Sequence, residues 1–254
     1  MKTVQSAVNP TSPSIRRAVW CGVVILVLIG VATAIGRAVF LDDFVTRGER
    51  FRQRGLSAVQ RADPFWAERR ADMRRFDGRF AAHPLLTLLH VLPGAALLTI
   101  APLQFSRRIR NRHVQFHRWS GRVLILATWV IVLTGLYFGV LMPYGGPSEA
   151  IATSLFGGFC LVAVCRAFLA IRRRQVAHHR AWMIRAFAIA IGISTIRVVG
   201  GVFDMVLTPA GYPSQEVFVL SFWAGWIITL AAAELWIKYT LQHPGSLPAR
   251  ASAA

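Results

Sequence analysis

Charge is scarce in this chain, and the signatures of common soluble enzymes are missing. Only 16% of its 254 residues are charged, against 55% hydrophobic, and its mean hydropathy is +0.49. A soluble domain of this length carries more charge. No glycine-rich dinucleotide fingerprint, phosphate loop, GxSxG elbow or HExxH helix occurs, so nothing assigns an enzyme of those classes. The three cysteines, Cys21, Cys160 and Cys165, form no CxxC and have no histidine at ligand spacing. They exclude a cysteine-based metal centre of the usual kind and read as small buried hydrophobes.

What the chain does have is long apolar blocks, at 18–40, 85–105, 119–142, 151–171, 181–203 and 217–237. A run of about 18 or more apolar residues reads as a membrane-spanning helix. Barrel strands would instead be roughly ten residues long and alternating. The expected fold is therefore all-α, a polytopic bundle of six spans. Spans two to five would form its core, with the first and sixth packed around them.

The net charge of +18 sits at block ends, as in Arg107, Arg108, Arg110 and Arg112, or Arg172, Arg173 and Arg174. No RNP, zinc-finger or helix-turn-helix pattern accompanies it, which argues against nucleic acid. Basic loops beside apolar spans point to anionic lipid headgroups and to orientation. With a cytoplasmic N-terminus, Lys2, Arg16, Arg17, the loops 106–118 and 172–180 and Lys238 all lie inside. The short outer loops 143–150 and 204–216 hold no Lys or Arg but contain Glu149, Asp204 and Glu216. Trp20, Trp119, Trp182 and Trp236 form a belt at the inner level. These signs predict that both termini are cytoplasmic.

Residues 1–17 are then a cytoplasmic leader, 18–40 the first span, 41–83 an extracytoplasmic polar connector, 84–240 the bundle and 241–254 a disordered tail. Ala32-Thr33-Ala34 resembles a signal cleavage site, but the polar leader and the continuation through Val39-Phe40 favour an uncleaved span. The connector holds ten arginines and seven acids. Spacings such as Arg61/Phe65/Arg69 and Glu68/Asp72 predict a surface helix. A solvated connector laced by i,i+4 pairs is the expected form, in preference to a partner-binding surface.

Two spans open on nearly the same words, His117-Arg118-Trp119-Ser120-Gly121-Arg122 and His179-Arg180-Ala181-Trp182-Met183-Ile184-Arg185. Both helices run from inside to outside, so the two imidazoles share a depth. Histidines from two helices at one level suit bis-imidazole ligation of a b-type haem iron. Arg118, Arg122, Arg180 and Arg185 would pair with the propionates. His113 and His178 stand beside them. The plainer reading is interfacial anchoring on lipid phosphate.

His83 and His90 share one face of the second span and line a pocket there, or His90 makes an interhelical hydrogen bond. Pro93-Gly94 can bend that helix. Gln104 caps carbonyls or reaches the His117 region. Arg197 lies within the fifth span, where a charge marks function by default. Asp204 is its expected partner, and outward snorkelling the alternative. Glu234 and Lys238 are spaced as a surface ion pair. Gly121, Gly135, Gly157, Gly158, Gly192, Gly200 and Gly201 suit close helix packing.

The string His90…Gly94…Pro102-Leu103-Gln104-Phe105, then His117-Arg118-x-x-Gly121-Arg122, Gly135, His179-Arg180-x-Trp182-Met183-Ile184-Arg185 and Arg197 resembles one bacterial family. It is similar to the predicted membrane proteins grouped as domain of unknown function 2306, over about residues 83–203. The resemblance implies a polytopic protein of the bacterial inner membrane without assigned activity. A fainter likeness to b561-type cytochromes rests on the histidines at helix ends. The outer side offers no second histidine on a facing helix, so at most one haem fits, at the cytoplasmic end. Three functions remain in view: a haem-b redox protein, a binder or transporter of an anionic headgroup or solute through the Arg/His cluster, and a structural membrane component. A second copy of the chain or another membrane protein is an open partner.

Overall fold

In a computed structural model, residues 13–55, 57 and 63–242 are described. Among them there is no strand. The helices are α1 (Pro13–Val39), α2 (Phe44–Arg52), α3 (Pro64–Ala81), α4 (Pro84–Gln104), α5 (Arg107–Arg112), α6 (Val114–Leu136), α7 (Gly146–Arg172), α8 (Val176–Leu207) and α9 (Ser214–Gln242). A 3-10 turn, Gln53–Gly55, follows α2, and a π-helical segment, Tyr137–Leu141, extends α6. Six of these helices are long and apolar enough to cross a membrane. This is a multi-pass membrane protein, and its spans are the six expected ones.

Local signals set the boundaries. The Asp63 carboxylate accepts the Phe65 N–H at 2.8 Å and Pro64 opens α3, the arrangement of a capped N-terminus. Pro84 opens α4 in the same way. The link between α7 and α8 turns at Arg174, whose φ of 59° lies in the left-handed region. The helices outrun the apolar blocks. With 32 residues α8 is about 48 Å long, against a hydrocarbon core of about 30 Å. Its polar ends, with His179 and Asp204, therefore reach past the lipid tails.

The chain alternates direction, so one end gathers the starts of α1, α6 and α8 and the finishes of α4, α7 and α9. This is the basic end; the other is the connector end. The helix α8 is central. It packs most extensively on α9 and α7 and also touches α1 and α4, while α4 packs on α6 and α1. The larger apolar cluster joins Val132, Phe156, Val164, Ile189, Ile196 and Trp226. It draws on spans three to six, so the sixth span is part of the core rather than packed around it. Glycine makes this possible at Gly225, where a Cβ would lie 2.7 Å from the Ile196 Cα and N. The rim of α1, with Val24, Ile25 and Leu28, stays exposed for the bilayer.

The connector departs from expectation. Among the described residues only Arg47–Asp43 has the i,i+4 spacing, at 2.6 Å. Arg50, Arg52, Arg54, Arg74 and Arg75 stay exposed, whereas Glu49, Arg69, Asp77 and Arg79 turn inward. Asp77 is wholly buried. It receives Arg37 at 2.8 Å, the Val45 and Thr46 N–H groups at 3.1 and 2.8 Å, and the Thr46 hydroxyl at 2.7 Å. A buried carboxylate with four donors is satisfied in a way that a surface pair is not. Arg61, one of the spacing signals, lies outside the described residues, as do residues 1–12 of the expected leader and 243–254 of the expected tail.

Candidate functional site

At the basic end, α6 and α8 present His117 and His179. Both are half-buried, whereas His178 and His113 are exposed. The packing of α8 against α7 decides which of the adjacent pair turns inward: His179 Nδ1 donates to the Ala167 carbonyl of α7 at 2.9 Å. That bond leaves Nε2 with the lone pair. His117 lies within electrostatic reach of His179 and Arg110, and its Nδ1 is buried without a hydrogen-bond partner. The helices α6 and α8 are bridged by α7, which packs on both far more than the two pack on one another, while α4 packs closely on α6 and only lightly on α8.

The arginines divide by role. Arg118 and Arg122 are exposed, and Arg122 stacks on Trp119. Arg180 reaches the Thr240 hydroxyl of α9 at 3.4 Å. Arg185 forks onto Glu234 at 2.5 and 2.9 Å and lies over the Trp182 ring. Glu234 was expected to pair with Lys238 along its own helix. The crossing of α8 and α9 puts Arg185 nearer, and its planar fork matches both carboxylate oxygens. Gln104 reaches the neighbourhood of His117, donating to Ser120 at 2.8 Å.

Deeper in the bundle, His90 of α4 stands against α6, with Nδ1 3.0 Å from both the Ile131 carbonyl and the Thr134 hydroxyl. Its neighbour His83 caps the start of α4, next to the Tyr137 ring of the π-helical segment. Arg197 of α8 lies within electrostatic reach of His90 and of Arg37. Asp204 is not its partner: that carboxylate is taken by Arg52 and by Arg69, the latter at 2.6 Å.

At the connector end three clamps tie α2 and α3 to the spans. Arg37 of α1 holds Asp77 of α3. Arg69 of α3 spans Glu49, Asp204, Thr208 and Ser214. Arg79 meets Glu149 at 2.9 Å while Glu149 also accepts the Gly145 N–H at 2.8 Å. Burial pushes the Arg69 and Arg79 guanidinium groups below their usual range, and the facing carboxylates pull them back. Sequence spacing missed these residues, because their partners are 20 to 145 positions away. The one signal available was compositional: seven of the chain's eleven acids fall in 41–83.

A family model described as predicted membrane protein, DUF2306, matches residues 87–237. The chain belongs to that family. In this DUF2306 protein the matched stretch contains His90, Gln104, His117, His179, Arg185 and Arg197, while Arg37, Glu49, Arg69, Asp77 and Arg79 precede it. No curated protein and no solved structure matches the chain. The fainter likeness to b561-type cytochromes therefore gains no support from these comparisons.

Proposed function

We propose that this DUF2306 protein is a redox component of the bacterial inner membrane that carries one haem b at its basic end, between His117 and His179. The observation that carries the reading is the His179 Nδ1 bond to the Ala167 carbonyl. Histidines that bind metal nearly always donate their second ring nitrogen to such a group, which fixes the tautomer and aims the other nitrogen. His117 is turned toward the same region from α6, and the separation of α6 from α8 favours a planar group between them. Arg118 and Arg122, both exposed, would meet the propionates; Arg180 stands at the Thr240 hydroxyl and Arg185 is committed to Glu234. A haem held there would supply one-electron transfer.

The orientation has support of its own. Counted by residue, the connector is rich in arginine, yet Arg47, Arg50, Arg52, Arg69 and Arg79 are matched by acids. At the basic end Arg185 meets Glu234, while Arg118, Arg122, Arg172, Arg173 and Arg174 are exposed. Basic side chains thus gather at that surface, and positive loops stay in the cytoplasm. The spectrum of protein purified from haem-sufficient cells is the test. Wild type should show a Soret band that His117→Ala and His179→Ala each abolish and Arg185→Gln retains. A colourless wild type removes the proposal.

A second reading is favoured by the Trp119–Arg122 stack at headgroup level. Here exposed Arg118 and Arg122 hold an anionic lipid headgroup. It expects no chromophore, and salt-sensitive retention of anionic lipid that falls in Arg122→Gln.

A further inference from the structure

A basic cleft runs between α2 and α3 at the connector end, as two hollows of about 310 and 290 Å³. The first is lined by Arg50, Gln53, Arg54 and Arg70, with no acid. The second shares Arg50 and Arg70, so the two adjoin, and it adds Arg74, Thr46, Asp42 and Asp43. Ligand pockets begin at about 300 Å³, and each hollow suits one small group.

The cleft is built rather than a chance run of surface arginines. Gln53 is only 3% exposed. Its Nε2 donates to Glu49 at 2.6 Å, and its Oε1 accepts from Arg70 at 2.7 Å. Glu49 is in turn buried against Arg69. A buried amide thus holds the Arg70 guanidinium where the hollows meet. Positive charge is in surplus there. Asp43 answers Arg47 and Arg50. The described residues include every acid of the chain, and among them none pairs with Arg54 or Arg74.

The position is that of a membrane surface. The first span ends at Val39, and Asp42 and Asp43 follow within four residues. Phe40 and Phe51 stay exposed on the same segment, with Arg47 and Arg54 lying over their rings. Exposed rings backed by cations are favoured at headgroup level. The two hollows also differ in chemistry. Guanidinium forks only donate, which suits phosphate oxygens. Carboxylates only accept, so Asp42 and Asp43 repel a phosphate and take the hydrogens of hydroxyl groups. A ligand that fills both hollows is an anion at one end and a polyol at the other.

We propose that the α2–α3 cleft binds a glycerol phosphate, with the phosphate among Arg50, Arg54 and Arg70 and the glycerol hydroxyls against Asp42 and Asp43. Phosphatidylglycerol in the adjoining leaflet presents that group, and so does free glycerol 1-phosphate. The cleft is independent of the haem reading. It lies at the other end of the bundle from His117 and His179, and all its lining residues precede the stretch that matches the family.

The test uses the full chain with Arg118→Gln and Arg122→Gln, which quiets the headgroup contacts of the basic end. It is placed in phosphatidylcholine nanodiscs doped with phosphatidylglycerol, or with phosphatidylmethanol, which has the same charge and no glycerol. The unfolding midpoint should rise more with phosphatidylglycerol, which assigns the lipid. Arg54→Gln should need at least about tenfold more of it for the same rise, because a charge-assisted hydrogen bond is lost. Asp42→Asn should still respond but treat the two lipids alike. Neither side chain forms an ion pair among the described residues, so both variants should keep the undoped midpoint. In undoped discs, a saturable rise with glycerol 1-phosphate that exceeds the rise with methyl phosphate, and that Arg54→Gln loses, assigns the free compound instead. Equal responses to the two lipids with no response to glycerol 1-phosphate, or an Arg54→Gln chain that responds like its parent, overturns the proposal.

Discussion

Asp77 concentrates more of the connector's polar bonding than any other acid. Four donors from two elements converge on it, and Arg37 also lies over the Phe80 ring with its carbon 4.5 Å from the centroid. Removing one partner of a buried pair strands the other charge, at a typical cost of about 3–5 kcal/mol. Asp77→Ala should therefore lower stability by about that amount, read as a fallen midpoint in detergent. Asp43 is a different case. The hydrogen bond from Arg47 outweighs burial and, with Arg50, holds its carboxyl below the usual range. A depressed carboxyl contributes stability above its unfolded pKa and loses it as pH falls through the folded value. Asp43→Asn should thus soften the decline in midpoint on acidifying below the ordinary carboxylate range. The Asp43–Arg47 pair was within reach of a spacing argument. Asp77 was not, because its partners come from α1 and α2, which only folding brings to α3.

The identity and order of the six spans came from hydropathy alone, since a span must pair its backbone groups internally whatever its neighbours are. Which face each helix buries did not. The contact of α8 with α9 shows why. Gly225 lets the backbones close at Ile196, whereas Gly158 of α7 has open space around it. Gly225→Ala should cost about 1–3 kcal/mol by forcing the backbones apart. Gly158→Ala should be neutral or slightly stabilising, because alanine is the better helix former. Equal midpoints for the two variants would contradict the packing of α8 on α9. The same logic separates His178 from His179. Adjacent residues differ by about 100° around a helix, and only the position of α7 selects the one that reaches Ala167.

The whole molecule is two unlike ends on one apolar bundle. The connector end cross-links its charges, and the basic end keeps most of its own exposed. That asymmetry predicts orientation directly. In a chain with Cys21, Cys160 and Cys165 replaced by alanine, a cysteine at Ala210 should react with an impermeant thiol reagent on intact spheroplasts. One at Ala177 should react only after lysis. Labelling of Ala177→Cys from outside would invert the arrangement and move the His117–His179 pair to the opposite face.

The sequence by itself determined six spans, their alternation and the family to which the chain belongs, because backbone desolvation and loop charge act locally along the chain. Only the tertiary structure decided that Glu234 meets Arg185, that Asp204 serves Arg69 rather than Arg197, and that a few buried charges clamp the connector to the spans. Those outcomes depend on which charges are brought within a few ångströms out of water, where the attraction is strong and the partner is set by helix crossing rather than by position in the chain.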